Sequence, residues 1–213
     1  MKSLVLTERA DAADVEVFAD DYSFVADAKV FRLSRTAKNQ KDFKVAAMHN
    51  WKRGKPYAVV VCPLYQLPVR SSQIYQDASA RNVSILSYSH ISMLVTFAER
   101  SGGQAASELL RASFDAVKNL TPSKDAISYW AAVNRVFRGF APACDAMWQA
   151  EKAANLEAIA AAKDMALTFL AEERERVMRL SHEQALQMIL DIKKIGSREA
   201  TIRGVSDGGI MTI

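Results

Sequence analysis

The stretch from Asp14 to Lys29 constrains the fold most, because it holds two β-strand patterns that both carry acidic residues. Residues 14–18 alternate between polar and apolar types, and residues 22–31 are rich in aromatic and β-branched types. Asp20-Asp21 lies between them and has the residue types that turns prefer. The pattern predicts an antiparallel hairpin in which an acid at the start of the first strand comes close to an acid near the end of the second.

Asp14, Asp27 and Lys29 form a candidate catalytic trio. Because side chains alternate between the two faces of a strand, Asp27 and Lys29 point to the same face. Two carboxylates can hold Mg²⁺ beside a substrate phosphate, while the lysine positions a water molecule and neutralises the developing charge. The trio indicates phosphodiester hydrolysis, with Asp14 and Asp27 as the metal ligands. Acid-x-lysine triplets also occur on solvated surfaces, which leaves a purely structural α/β domain as an alternative.

The distribution of charge is more informative than its total, which is 28 basic against 24 acidic residues. Residues 1–28 contain seven acids and two basic residues, whereas residues 29–55 contain nine Lys or Arg and one acid. A segment suited to binding a metal therefore leads directly into a segment suited to binding phosphate. This order favours a nucleic-acid substrate.

The basic segment is predicted to turn into a helix over about residues 37–53, with Phe43, Ala47 and Trp51 on its buried face. Serine and arginine side chains bind phosphates, arginine reads guanine, and asparagine or glutamine reads adenine. A solvated charged face is the alternative for such a segment. The candidate DNA-binding residues are Arg32, Ser34, Arg35, Lys38, Asn39, Gln40 and Lys41, and the sequence leaves open which of them touch bases and which touch phosphates.

The remainder of the first half reads as alternating strands and helices. Residues 57–63 form a continuous apolar run that is typical of a strand buried on both faces. A helix that begins at Ser71 or Ser72 and a strand over residues 83–87 follow, which predicts a parallel strand pair with a crossover helix. After a further helix over residues 91–100, we expect an α/β core of residues 1–103.

Residues 104–213 are predicted to be a helical region, because alanine, leucine, glutamate, lysine, arginine and methionine dominate there. The last long helix should begin at Ser181 with a capping box to Gln184 and bury a face that contains Leu186, Ile189 and Leu190. Residues 206–213 are predicted to be a frayed tail. This helical region is the candidate for the subunit interface and for further DNA contacts.

The remaining special residues predict no second site. Cys62 and Cys144 are expected to be free thiols in a reducing cytoplasm, and His49, His90 and His182 share no spacing typical of metal ligands. The sequence lacks a signal-peptide pattern and an apolar stretch of membrane length. These features predict a soluble cytoplasmic protein.

The segments 26–29 and 31–45 resemble the HindIII-type family of type II restriction endonucleases almost residue for residue. Weaker similarity continues through residues 57–59, 72–74 and 181–195, so the resemblance covers most of the chain from about Thr7. It implies the PD-(D/E)xK nuclease fold, with a mixed β-sheet flanked by helices. It also implies Mg²⁺-dependent hydrolysis of double-stranded DNA by a homodimer at a palindromic AAGCTT-like site, and a cognate DNA methyltransferase as genetic partner.

By matching positions, the resemblance makes Asp14, Asp27 and Lys29 the two catalytic acids and the catalytic lysine. The chain departs from the pattern at Ala13, where the wider superfamily has proline. It also begins after the position of an N-terminal helical region that carries a further acid near the metal in that family. Two expectations follow, an active type II restriction endonuclease or a DNA-binding relative whose catalysis is impaired.

Overall fold

A five-stranded mixed β-sheet forms the centre of the structure, a computed structural model that describes residues 2–5, 12–30 and 40–204. The strand order is β1-β2-β3-β4-β5. Strands β1, β2 and β3 pair antiparallel, and β3, β4 and β5 pair parallel. The strands are β1 Lys2–Val5, β2 Val15–Phe18, β3 Ser23–Ala28, β4 Tyr57–Cys62 and β5 Val83–Ser87.

Helices make up most of the remaining described chain. A short 3₁₀ helix, Gln40–Phe43, precedes the first α-helix. The α-helices are α1 Val45–Trp51, α2 Gln73–Arg81, α3 Tyr88–Ser101, α4 Gly103–Lys118, α5 Ala126–Gly139, α6 Cys144–Met178, α7 His182–Ile192 and α8 Ile195–Arg203. The predicted α/β class with a mixed sheet and flanking helices is confirmed.

Strand β4 is buried along its whole length, as the continuous apolar run predicted. Parallel neighbours require a crossover, and α1 and α2 supply the helices of the β3–β4 and β4–β5 connections. Ser72 caps α2 by accepting a hydrogen bond from the backbone N–H of Ile74. The predicted parallel pair and its crossover helix are therefore confirmed.

An aromatic cluster attaches α4 to the sheet. The Phe114 ring lies 5.2 Å from that of Phe24 and 5.1 Å from that of Tyr57, between ring centroids, and is fully buried. The Tyr57 hydroxyl donates a 2.7 Å hydrogen bond to Asp115 on the same helix. Replacing a buried phenylalanine by alanine costs about 3–5 kcal/mol, so this contact alone contributes a large share of a domain's net stability.

Tyr129 on α5 protects the edge strand β5. Its hydroxyl accepts a hydrogen bond from the backbone N–H of Ile85 at 2.7 Å and donates one to the carbonyl of the same residue at 3.2 Å. Unpaired backbone groups on an edge strand invite pairing with another chain. No sixth strand pairs with β5 in the described part of the chain, and the Tyr129 hydroxyl instead binds the backbone N–H and carbonyl of Ile85.

Several predicted boundaries were wrong. Strand β1 was not predicted, and β3 ends at Ala28 although the strand pattern runs to residue 31. The helix predicted to run to residue 53 ends at Trp51, and Lys44, in the left-handed conformation, separates α1 from the 3₁₀ helix. A non-glycine residue with positive φ interrupts a regular helix, and the apolar period carries no signal of that interruption.

The chain divides into two compact units, Met1–Ala162 and Lys163–Ile213. Helices α4 and α5 pack with the sheet in the first unit. In the second unit the capping box of Ser181 and Gln184 is confirmed. The predicted burial of Leu186, Ile189 and Leu190 is wrong, because α7 packs against α8 and these side chains remain about half exposed, at 49%, 53% and 47%.

No helix within residues 2–5, 12–30 and 40–204 combines the length and the apolar character needed to cross a membrane. The two cysteines, Cys62 and Cys144, are both buried and form no disulfide, as predicted. The predicted tail, residues 206–213, lies outside the described residues.

Candidate active site

The β2–β3 hairpin brings Asp14 and Asp27 together. Val15 pairs with Ala26, so the next position along the antiparallel register places Asp14 opposite Asp27. One carboxylate oxygen of Asp14, Oδ2, accepts a 2.8 Å hydrogen bond from the backbone N–H of Ala28. This bond ties the residue before β2 to the end of β3. The predicted antiparallel hairpin is confirmed, and it turns two distant acids into neighbours.

Lys29 completes the cluster through an ion pair with Asp27. Its ammonium contacts Oδ2 of Asp27, whose side chain is 2% exposed. The backbone N–H of Lys29 donates a 2.7 Å hydrogen bond to the carbonyl of Val61, which extends the β3–β4 ladder by one residue. The acid and the lysine two positions later therefore face the same site, as strand alternation predicted.

The ionised carboxylate of Asp27 is electrostatically unfavourable even with the Lys29 ammonium beside it. Burial raises the pKa of Asp27, and the negative charge of Asp14 raises it further, while hydrogen bonding and charge from Lys29 and the charge of Lys44 lower it. Desolvation and the charge of Asp14 together disfavour the ionised form more than the two lysines favour it. A bound divalent cation would reverse this balance, because it would be the largest local charge.

Asp14 and Asp27 fit the way in which proteins bind Mg²⁺. Oδ2 of Asp27 is buried and accepts no hydrogen bond from a described group apart from its ion pair with the Lys29 ammonium. Across the described residues, no cluster of three or more His, Cys, Asp or Glu side chains could form a metal cage. Mg²⁺ usually keeps several waters and is held by one or two carboxylates plus substrate phosphate. The two carboxylates are within the usual number of protein ligands for Mg²⁺, so the residues present fit such an ion.

Most of the predicted DNA-binding residues fall outside this description. Arg32, Ser34, Arg35, Lys38 and Asn39 lie outside the described residues. For Gln40 and Lys41 the backbone is described, in the 3₁₀ helix after that segment. The assignment of these seven side chains to DNA contacts therefore stays a prediction.

Lys44 and Tyr88 are two residues near the acids that the sequence did not single out. The charge of Lys44 acts on Asp27, and its ammonium lies 5.3 Å from the centre of the Trp51 ring. Burial raises the pKa of Tyr88, and Asp14 is among the charges that add to this rise. Lys44 belongs to the basic segment and Tyr88 follows β5 directly. The sequence signal that could have placed Lys44 and Tyr88 near the acids was that both follow strands whose carboxyl ends lie at the same edge of the sheet.

Comparison with known proteins identifies the family of this chain. The family model described as HindIII restriction endonuclease matches residues 1–206. The chain belongs to the HindIII restriction endonuclease family. The predicted family resemblance is therefore confirmed.

A curated relative in this family is the type II restriction enzyme HindIII of Haemophilus influenzae. It is 44% identical to this chain over 97 residues, which cover 45% of this chain and 32% of the relative. The match thus spans about a third of the relative's length.

Proposed function

We propose that this chain is a type II site-specific deoxyribonuclease that hydrolyses phosphodiester bonds in double-stranded DNA with the help of Mg²⁺. The observation that carries the proposal is the convergence of Asp14, Asp27 and Lys29 at one end of a hairpin in a member of this family. The fold alone would be a weak argument, because function resides in the site. Two carboxylates and an ammonium at one site support this chemistry.

The roles of the three residues follow from their contacts. Asp14 and Asp27 would hold the metal, which when bound polarises the phosphate and lowers the pKa of a bound water. The backbone of Ala28 fixes the orientation of Asp14 through the 2.8 Å hydrogen bond. Lys29 orients the attacking water and neutralises charge on the phosphate oxygens. The water oxygen bonds to phosphorus, one P–O ester bond breaks, and the departing oxygen takes up a proton.

Cleavage of plasmid DNA tests this proposal directly. Purified protein with MgCl₂ should cut a plasmid of known sequence into defined fragments, and chelation of the metal should abolish cutting. Asp27→Asn and Lys29→Ala should abolish cleavage and keep DNA binding. Asp20→Asn, at the exposed turn of the same hairpin, is the matched control and should cut like the wild type. A cut pattern unchanged by Asp27→Asn would refute the proposal, whereas DNA binding without any cleavage would indicate the impaired relative.

The recognition site is proposed to be palindromic and AAGCTT-like, with the basic segment after Lys29 contacting DNA. A cognate DNA methyltransferase is proposed as the genetic partner that protects host DNA. Mapping of the fragment ends gives both the site and the cut position. Methylated plasmid should resist cleavage, and cleavage at unrelated or random sequences would contradict this part of the proposal.

A homodimer is proposed because a palindrome is matched by a two-fold symmetric protein. Large apolar side chains of the second unit are exposed, among them Met165 at 72%, Phe169 at 59% and Ile189 at 53%. Large apolar side chains that remain exposed are candidates for an interaction surface. Sedimentation should give a dimer for the wild type and a monomer for the Phe169→Glu/Ile189→Glu double variant. A monomeric wild type at micromolar concentration would refute the dimer.

A further inference from the structure

A cavity of about 440 Å³ opens at the carboxyl ends of β4 and β5, lined by residues 64 and 67–69 after β4, by the start of α3, and by α5 and α6. The candidate active site lies at the carboxyl end of β3, which is the parallel neighbour of β4. Adjacent strands are about 4.8 Å apart, so β5 lies roughly 10 Å from β3 along the same edge. Ligands of open α/β sheets bind outside the carboxyl ends of the strands. The position of the cavity is therefore suited to a ligand.

Aromatic rings form much of the cavity wall. Trp130 and Trp148 both line it, and they are two of the three tryptophans in the chain. The His90 ring lies against both indoles, at 5.6 Å from Trp130 and 5.1 Å from Trp148 between ring centroids. Such surfaces stack well against planar rings.

The hydrogen bonds of His90 fix the direction in which Asn134 points its amide. The backbone N–H of Ser87 donates to Nδ1 of His90 at 3.2 Å, so Nδ1 is an acceptor. Burial lowers the pKa of His90 to about 4, so the ring is neutral at pH 7 and Nε2 carries the hydrogen. Nε2 then donates to Oδ1 of Asn134 at 3.0 Å. The Nδ2 group of Asn134 is left as a donor at the cavity.

Asn155 and Lys152 add further donors to the cavity lining, beside the Glu151 carboxylate, which is an acceptor. Ser89 Oγ donates to Oδ1 of Asn155 at 3.2 Å, which leaves the Nδ2 group of Asn155 as a second donor. Oε2 of Glu151 already accepts a hydrogen bond from Ser92 at 2.9 Å. Lys152 adds an ammonium that forms no ion pair with the described residues. The complementary ligand therefore has a planar ring and several hydrogen-bond acceptors.

We propose that this cavity binds a nucleobase, with its ring against Trp130 and Trp148 and its acceptor edge toward Asn134, Asn155 and Lys152. Nucleobases have planar faces and carry carbonyl and ring-nitrogen acceptors, and proteins that capture single bases stack them on aromatic side chains and read their edges. The base has two sources, a free mononucleotide or a base rotated out of the DNA beside the candidate active site. The second source rests on the proposed nuclease function, and the first does not.

Tryptophan fluorescence tests binding of free mononucleotides, because the two cavity indoles are most of the signal. Titration with each deoxynucleoside monophosphate should give saturable quenching for at least one base. Asn155→Leu and Lys152→Gln should each weaken that binding about tenfold, which is the usual effect of losing one hydrogen bond to a charged or polar ligand. Gln149→Leu makes the same amide-to-leucine change on α6 outside the cavity and should leave the affinity unchanged.

Base analogues test the DNA source. Duplexes that carry 2-aminopurine at one position at a time are bound to the Asp27→Asn variant, which is expected to bind without cutting. The fluorescence of 2-aminopurine rises when the base leaves the stack, so a rise at one position identifies the captured base. Adding Asn155→Leu to this variant should remove the rise, and adding Gln149→Leu should preserve it.

The outcomes separate this inference from the proposed function. Saturable quenching or a position-specific rise, either one weakened by Asn155→Leu, supports a base-binding cavity. Absence of both signals overturns it, and so does a signal that Asn155→Leu and Gln149→Leu affect equally. If wild-type protein cuts plasmid while both signals are absent, the nuclease proposal stands and the cavity proposal fails. If mononucleotides bind but the wild-type protein cuts no plasmid, the cavity proposal stands and the nuclease proposal fails.

Discussion

Two buried polar clusters lie at the same edge of the parallel strands, and they differ in how their charges and hydrogen bonds are satisfied. At the end of β3, Asp27 is a buried charge whose Oδ2 has only the Lys29 ammonium as a described partner. At the end of β5, His90 is neutral and both of its ring nitrogens are hydrogen-bonded. A buried group left short of partners destabilises the fold and suits a site that binds a cation, whereas a fully satisfied group stabilises it.

Removal of the buried charge should separate activity from stability most clearly. Asp27→Asn is expected to lower the cleavage rate by about 10³-fold or more, because a metal ligand and the charge that Lys29 pairs with are lost together. The free energy of unfolding should stay the same or rise, because the raised pKa of Asp27 means that its ionised form is less favourable in the folded chain than in the unfolded chain. Cleavage kinetics and denaturant unfolding measure the two effects. A variant with both low activity and low stability would show that Asp27 mainly supports the fold.

Removal of the His90 imidazole, which has both ring nitrogens hydrogen-bonded, should lower stability and preserve activity. His90→Ala leaves a cavity and strips Ser87 and Asn134 of a hydrogen-bond partner, so it should lower the free energy of unfolding by about 3–5 kcal/mol. Folded protein at low temperature should still cut DNA. Unfolding curves and cleavage assays on the same preparation test this pair of expectations. Normal stability of the variant would remove the distinction between the two clusters.

The same histidine should make the fold sensitive to acid. Because burial lowers the pKa of His90 from 6.5 to about 4, the unfolded chain binds a proton more readily than the folded one between these values. The contribution of the neutral His90 ring to the free energy of unfolding is complete above pH 6.5. It is lost as the pH falls toward 4, by an amount on the order of 3 kcal/mol. The difference in unfolding free energy between the wild type and His90→Ala should therefore shrink with falling pH. A constant difference would contradict the buried neutral imidazole.

The smallest expected effect concerns helix capping. Ser87 caps α3 from a fully buried position, whereas Ser181 caps α7 on the exposed surface of the second unit. Loss of a serine cap costs about 1 kcal/mol, and the buried hydroxyl also bonds His90 at 2.7 Å. Ser87→Ala should therefore destabilise the protein more than Ser181→Ala in thermal unfolding. Equal losses of stability in the two variants would mean that the hydrogen bond between Ser87 and His90 adds little to the effect of helix capping.

Local patterns predicted the elements of the sheet and its crossovers. The alternation around Asp14, the run at Tyr57–Cys62 and the serine before α2 each act within a few residues, so a sequence window contains the whole signal. The pairing of Asp27 with Lys29 followed from the same rule, since residues two apart in a strand share a face. Strand β1 was missed because all of its side chains are exposed and give no burial pattern.

The long-range contacts could not be predicted in this way. Lys52 is 8% exposed and its ammonium donates to the carbonyls of Arg81 and Asn82, although the apolar period of its helix gives no sign of this burial. Burial lowers the pKa of Lys52, which agrees with an amine withdrawn from water. The His90–Asn134 bond joins residues 44 apart. Periodicity describes one element at a time and contains nothing about such partners.

By itself, the sequence determined the α/β class, the order of the elements in the first half, and the two acids and lysine of the candidate active site, because these depend on side-chain alternation, burial and capping within short segments. The tertiary structure decided which distant polar groups form hydrogen bonds with each other and where a cavity opens. These properties arise only when strands β3, β4 and β5 align in parallel and bring residues from distant segments to one edge of the sheet.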